Sequence, residues 1–141
     1  MEISAVKRRV KTVIERSKAR AGERRTRADA AQREYPSFLS GIAVPLFRQV
    51  AGVLKAEGYA FTVFTPSGGV RLMSDKNADD LIELSLDTSG DQPAVVGHVK
   101  RSRGRRVMES ERAISDGPIA QISEDQLLDF LITELEPFVD R

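Results

Sequence analysis

Apolar and polar residues alternate in short runs between residues 59 and 112, and this alternation constrains the fold more than any other feature. Ile82, Leu84 and Leu86 alternate with polar neighbours, which is the pattern of a strand with one buried face. Runs of turn-forming residues, such as 66–69, separate the alternating segments. The pattern predicts four or five antiparallel strands that follow one another as a meander.

Two helices are predicted to flank the meander. The first covers about residues 37–57, where apolar residues recur at helical spacing, and Gly58 stands where glycine commonly ends a helix. The second covers residues 123–136, and Ser123 and Gln126 have the spacing of a capping box. The predicted fold class is α+β: an antiparallel four- to five-stranded meander covered on one face by two helices, with a long basic N-terminal helix.

That N-terminal helix is predicted over residues 2–34, which are rich in Ala, Arg, Lys and Glu. Pro36 is predicted to end it, because proline disfavours the α conformation in the preceding residue. Pro45 is predicted to kink the next helix, since its nitrogen carries no hydrogen to donate. The chain is therefore divided into a basic helix, residues 1–35, and an α+β domain, residues 36–141.

Two apolar features are candidates for contacts between chains. Four residues near the N-terminus follow 3-4-3 spacing and form one helical seam, while one aromatic residue lies off the apolar stripe predicted for the last helix. The interface candidates are Ile3, Val6, Val10, Val13 and Phe130. The partner expected from them is a second copy of the chain or another protein.

Charge is unevenly distributed, although the net charge is only +1. Residues 1–34 hold 11 Lys/Arg and 5 Asp/Glu, whereas residues 107–141 hold 2 Arg and 9 Asp/Glu. Two basic groups could contact phosphates: a helical stripe and a hairpin tip. Solvated surface charge is the alternative interpretation of both. The phosphate-binding candidates are Arg16, Arg20, Arg24 and Arg27 in the stripe, and Lys100, Arg101, Arg103, Arg105 and Arg106 in the hairpin.

Several chemistries lack the residues they need. The chain has no cysteine and only one histidine, His98, so no transition-metal site, no cofactor and no catalytic residue is predicted. Residues 75–86 resemble a calcium loop only at its start, because Asp80 replaces the required glycine and Leu86 the required glutamate. No apolar run approaches about 20 residues, so no membrane span is expected. The expected location is cytoplasmic.

Two function hypotheses follow, and an enzyme ranks third because no catalytic constellation supports one. The first is a non-enzymatic protein-protein interaction or assembly module, such as an adaptor, small chaperone or oligomeric subunit, that associates through its N-terminal helix. The alternative is a nucleic-acid-associated protein that binds phosphates through the basic helix and the hairpin. The acidic segment 107–141 favours the first, since it can neutralise the basic helix within or between subunits.

Overall fold

A computed structural model describes residues 1–140 and shows one antiparallel sheet with helices packed against it. The chain begins with a continuous helical segment of three parts: α1 (Ile3–Phe38), a π-helical turn (Leu39–Ala43) and α2 (Val44–Ala56). The strands are β1 (Phe61–Phe64), β2 (Gly69–Ser74), β3 (Leu81–Asp87), β4 (Ala94–Arg103) and β5 (Arg106–Ala113). A 3₁₀ turn (Ile119–Gln121) precedes the last helix, α3 (Glu124–Val139).

The strands form a five-stranded sheet in the order β1-β2-β3-β4-β5, which confirms the predicted α+β meander. The register places Leu72 opposite Ile82, and Ile82 opposite Val99, so their side chains share one face of the sheet. All three are buried. This face carries the hydrophobic core, and β1 and β5 are the edge strands.

The helical layer covers that apolar face. Helix α2 contacts β1 and β2, and the ring of Phe130 on α3 lies against Gly97 of β4. Phe47 from α2 and Leu127 and Leu131 from α3 are fully buried in the same cluster as the strand residues. The prediction that two helices cover one face is therefore confirmed.

Local signals at the helix ends also behave as predicted. Gly58 has a positive φ of 91°, the Tyr59 amide donates to the Leu54 carbonyl and the Gly58 amide donates to the Lys55 carbonyl. This pair of bonds is the glycine-dependent C-terminal motif of α-helices. The Ser123 hydroxyl accepts from the Gln126 amide, and the Gln126 side chain accepts from the Ser123 amide. Both contacts use only neighbouring residues, which is why sequence spacing could predict them.

The prediction that Pro36 ends the first helix is wrong, because α1 continues to Phe38 and then directly into the π-helical turn. Proline removes one backbone donor, and the restriction on the residue before it is a preference that packing can override. Tyr35 and Phe38 are both buried, so continuing the helix places two aromatic side chains in the core. The π-helical turn ends just before Pro45, where the sequence predicted a kink.

The side chain of Tyr35 links α1 to the turn between β1 and β2. Its hydroxyl donates to the Gly68 carbonyl at 2.8 Å, while its ring lies 6.3 Å from the ring of Phe38. Burial, with a smaller contribution from the negative charge of Glu83, raises the pKa of Tyr35 from 10.0 to about 12. The neutral phenol is therefore the form that the folded protein stabilises.

This pKa shift gives an expected pH dependence of stability. Above pH 10 the unfolded chain loses the Tyr35 proton, whereas the folded chain keeps it until about pH 12, so the free energy of unfolding falls across that window. Tyr35→Phe cannot titrate there. Urea unfolding at pH 8 should show the variant less stable by about 1 kcal/mol for the lost hydrogen bond. Near pH 11.5 that difference should shrink, and an unchanged difference would contradict the raised pKa.

Candidate interaction surfaces

The first part of α1, residues 3–20, lies outside the packed domain and is called the arm below. The side chains of Ile3 and Val13 are 86% and 61% exposed, and Val6 and Val10 are also exposed. The buried residues of α1 occur only from Ala31 onward. At about 1.5 Å per residue the arm is about 27 Å long. Four of the predicted interface residues therefore lie on a surface that the chain itself leaves uncovered.

Helical geometry arranges the arm as an apolar stripe between two rows of cations. At about 100° per residue, the Ile and Val side chains point to one side of the helix. One row comprises Lys7, Lys11 and Lys18, and the other comprises Arg9, Arg16 and Arg20. Residues 1–20 hold seven Lys/Arg and only two Glu. The arm is thus a positively charged amphipathic helix.

The predicted stripe of four arginines is divided between two environments. Arg24 forms an ion pair with Asp91 at 3.7 Å, and the Arg27 Nε donates to the Asp91 carbonyl at 2.9 Å. These contacts fasten α1 to the β3-β4 turn. Arg16 and Arg20 are exposed and form no ion pair within the described residues 1–140. Half of the stripe therefore serves the fold, and half remains available to a partner.

The basic hairpin, residues 100–106, forms the connection between β4 and β5, with Gly104 at φ 62°. Lys100 pairs with Glu109 on β5 at 3.4 Å, so one of the five cations of the hairpin is already neutralised. Arg103, Arg105 and Arg106 are exposed. Arg101 and Arg103 line a shallow depression that also contains Asp140 at the end of α3.

The connection between β2 and β3 holds this hairpin in place. The carboxylate of Asp80, which is buried, accepts from the Ser102 amide at 2.8 Å and from its hydroxyl at 3.0 Å. The Asn77 amide donates to the same hydroxyl, and the Asp79 backbone amide donates to the Asn77 side chain. These bonds account for the cluster of Asp and Asn residues that begins like a calcium loop.

The arm and the basic hairpin belong to opposite ends of the sheet. Strand β4 begins near Asp91, where α1 is attached, and ends at Arg103 in the hairpin. Its ten residues, at about 3.3 Å each, separate the two ends by about 30 Å. The two basic groups predicted from sequence therefore do not combine into one surface.

The prediction that Phe130 is an interface residue is wrong, because its side chain is only 3% exposed. It packs on Gly97, and the guanidinium carbon of Arg112 lies 4.5 Å from its ring centre. Ile132, two residues further along α3, is 58% exposed. Phe138, beyond Pro137, is buried on the same side of α3 as Phe130. The missing signal was Gly97, whose lack of a side chain leaves room on β4 for the Phe130 ring.

The face of the sheet opposite the core carries charged pairs in register. Arg71 pairs with Glu83 at 3.1 Å, and Glu83 stands opposite His98, which stands opposite Glu111. Arg71 Nε is buried without a hydrogen-bond partner in the described part of the chain. Alternating charges across neighbouring strands stabilise a sheet surface. The residues opposite His98 in this row are Glu83 and Glu111, neither of which is the hydroxyl or thiol nucleophile that a histidine base would activate. Within residues 1–140, no group of three or more His, Asp or Glu side chains could hold a metal ion.

The helix from Ile3 to Ala56 is long and apolar enough to cross a membrane by length and composition. It contains an 18-residue window with mean hydropathy 1.4 and no more than two charged residues, of which 28% is buried in the domain. Helices that pack in a protein core meet the same criterion. Phe38, Phe47 and Leu54 of this helix pack in the core of the domain. The expectation of no membrane span stays a prediction.

Comparison of the chain with protein-family models, with curated proteins and with solved structures finds no match. Residues 1–140 form a small α+β domain with a projecting, amphipathic, basic helix.

Proposed function

We propose that this protein is a non-enzymatic assembly module that associates with further copies of itself through the arm. The observation that carries the proposal is the uncovered apolar stripe of Ile3, Val6, Val10 and Val13 on a projecting helix. Most helical stability in proteins comes from packing of an apolar face. A partner surface that covers the stripe would supply that packing.

The alternative, nucleic-acid binding, has weaker support. Arg103, Arg105 and Arg106 are exposed, which phosphate contacts require. However, Lys100 is paired with Glu109, Arg24 and Arg27 are bound to the domain's own turn, and the remaining basic groups lie about 30 Å apart. Phosphate binding also gives no role to the apolar stripe. The assembly hypothesis uses both the charge and the apolar residues of the arm.

The test is the molar mass of the purified protein, measured by light scattering across the micromolar range. The wild type is expected to exceed the single-chain mass of 15.6 kDa as concentration rises. Val10→Asp should weaken association at least tenfold, because it places a charge in the contact and removes an apolar side chain worth about 1.5–3 kcal/mol when buried. Ala19→Asp is the matched control, since it adds the same charge on the opposite side of the arm and should leave the mass unchanged.

A wild type that keeps the single-chain mass throughout would overturn the proposal. Adding duplex DNA at ~50 mM salt tests the alternative in the same instrument. Binding that disappears when Arg101, Arg103, Arg105 and Arg106 are all changed to Ser would assign nucleic-acid binding to the hairpin. Equal effects of Val10→Asp and Ala19→Asp would show that the apolar stripe is not the contact.

A further inference from the structure

We propose that the arm binds the outward face of α3 in a second copy of the chain, an inference that rests on the proposed self-assembly. That face consists of Asp125, Asp129, Ile132 and Glu136, which recur at spacings of four, three and four residues and so form one stripe. All four side chains are exposed. Helix α3 contains five Asp/Glu and no Lys or Arg, so its field is uniformly negative.

The acidic residues of this stripe have no partner that the fold requires. Glu134, on the side of α3 that faces the sheet, is bound to Arg112 at 3.0 Å. By contrast, Asp125, Asp129 and Glu136 form no ion pair within residues 1–140. They lie along the same stripe as Ile132, on both sides of it in sequence, and the side chain of Ile132 is 58% exposed. An exposed apolar residue in a row of carboxylates is complementary to an apolar stripe flanked by cations.

Pairing of two arms with each other is disfavoured by their own charges. In a two-stranded coiled coil built on Ile3, Val6, Val10 and Val13, the positions that flank the seam are occupied by Glu2, Lys7, Arg9, Ile14 and Arg16. Each strand would carry a net charge of +2 there, and like net charges across such an interface destabilise it. The face of α3 offers carboxylates beside an exposed apolar side chain, so charge complementarity selects it over a second arm.

Binding of the arm to α3 of its own chain would require the long helix to break. The contacts of Arg24 and Arg27 with Asp91 hold α1 to the domain, and the helix is continuous from Ile3 through those residues. The arm lies on the far side of this attachment and is exposed. The acceptor therefore belongs to another copy. Each copy carries one arm and one α3 face, so association gives either a closed ring, of which the two-fold pair is the smallest, or an open chain.

The experiment is a charge exchange between two variants. The first, Asp129→Lys with Glu136→Lys, makes the α3 face basic while the arm stays basic. The second, Lys7→Glu with Lys11→Glu, makes the arm acidic while α3 stays acidic. Each variant alone should associate at least tenfold more weakly than the wild type at low salt. An equimolar mixture should regain association, because each arm then meets a face of opposite charge.

Glu57→Lys with Asp79→Lys is the control, since it reverses two exposed acidic residues that do not belong to the α3 stripe and should leave association unchanged. Recovery in the mixture also shows that both variants are folded. If Val10→Asp abolishes association but the mixture does not recover it, the α3 acceptor is wrong and the assembly function stands. If the wild type remains a single chain and the arm instead binds duplex DNA or anionic lipid vesicles, both proposals fail.

Discussion

Gly97→Ala is expected to lower the free energy of unfolding by about 3 kcal/mol, at the upper end of the usual range for an overpacked core. An added Cβ would overlap the ring of Phe130: Cε1 and Cε2 would lie 2.7 and 2.8 Å away, and Cζ closer still. The ring cannot simply turn aside, because Arg112 lies over its face and the buried core surrounds it. Removing glycine from a strand gains only about 0.4–1 kcal/mol, so the overlap decides the sign.

A thermodynamic cycle with Phe130→Leu checks this explanation. Leucine lacks the ring atoms that the new methyl group meets, so Gly97→Ala should cost at least about 1 kcal/mol less in that background. Gly52→Ala is the matched control, because Gly52 is exposed on α2 with nothing within 4 Å of an added Cβ. It should stabilise the protein by about 0.5–1 kcal/mol. Urea unfolding measures all four values, and additive costs at Gly97 and Phe130 would refute the overlap.

Two N-terminal deletions should differ sharply in stability. Removing residues 1–20 deletes only the arm and should change the free energy of unfolding by less than about 0.5 kcal/mol. Removing residues 1–34 also deletes buried Ala31 and the two arginine contacts with Asp91. We expect that second deletion to cost about 2–4 kcal/mol, from lost apolar burial and lost hydrogen bonding.

Thermal unfolding of both deletions by circular dichroism, with urea titrations, measures the difference. The chain starting at residue 21 should unfold cooperatively near the wild-type midpoint, and it should also fail to self-associate. If the chain starting at residue 35 were equally stable, the helix before Tyr35 would contribute nothing to the core. In that case the division of the chain at residues 35 and 36, predicted from sequence, would hold after all.

The parts of the fold that sequence predicted are those set by neighbouring residues. Period-2 alternation predicted a meander of four or five strands, and the structure has five. The helix ends at Gly58 and Ser123 were predicted because their hydrogen bonds span only a few residues. Strand order followed from the short connections, since consecutive antiparallel strands joined by tight turns pair with each other. Each of these inferences uses information contained within about ten residues.

The parts that sequence missed depend on distant contacts. Continuation through Pro36 is favoured by burial of Tyr35 and Phe38, and the partner of Tyr35 is Gly68, 33 residues away. The burial of Phe130 depends on Gly97, 33 residues earlier in the chain, whose missing side chain leaves room for the ring. The division of the arginine stripe required knowing that Asp91 lies beside α1. Local propensity carries none of this information.

Charge asymmetry was visible in the sequence, but its geometry was not. The acidic segment 107–141 contains both the edge strand β5 and helix α3. Exposed Val107 of β5 directly follows the cations of the hairpin, whereas exposed Ile132 of α3 shares its stripe only with carboxylates. Likewise, only the first part of the basic segment projects from the domain. The structure thus narrows the candidate binding surfaces, because it shows which charged residues are already engaged in contacts within the domain.

The unbroken helix from the arm into the core fixes the rotational phase of the arm. One residue inserted between the arm and Arg24 would turn the apolar stripe by about 100° and lengthen the helix by about 1.5 Å. Seven inserted residues would restore its direction to within about 20° while extending it by about 10 Å. Association should therefore vary periodically with insertion length. Insertions of seven residues would change the spacing between copies without changing the side of the helix that binds.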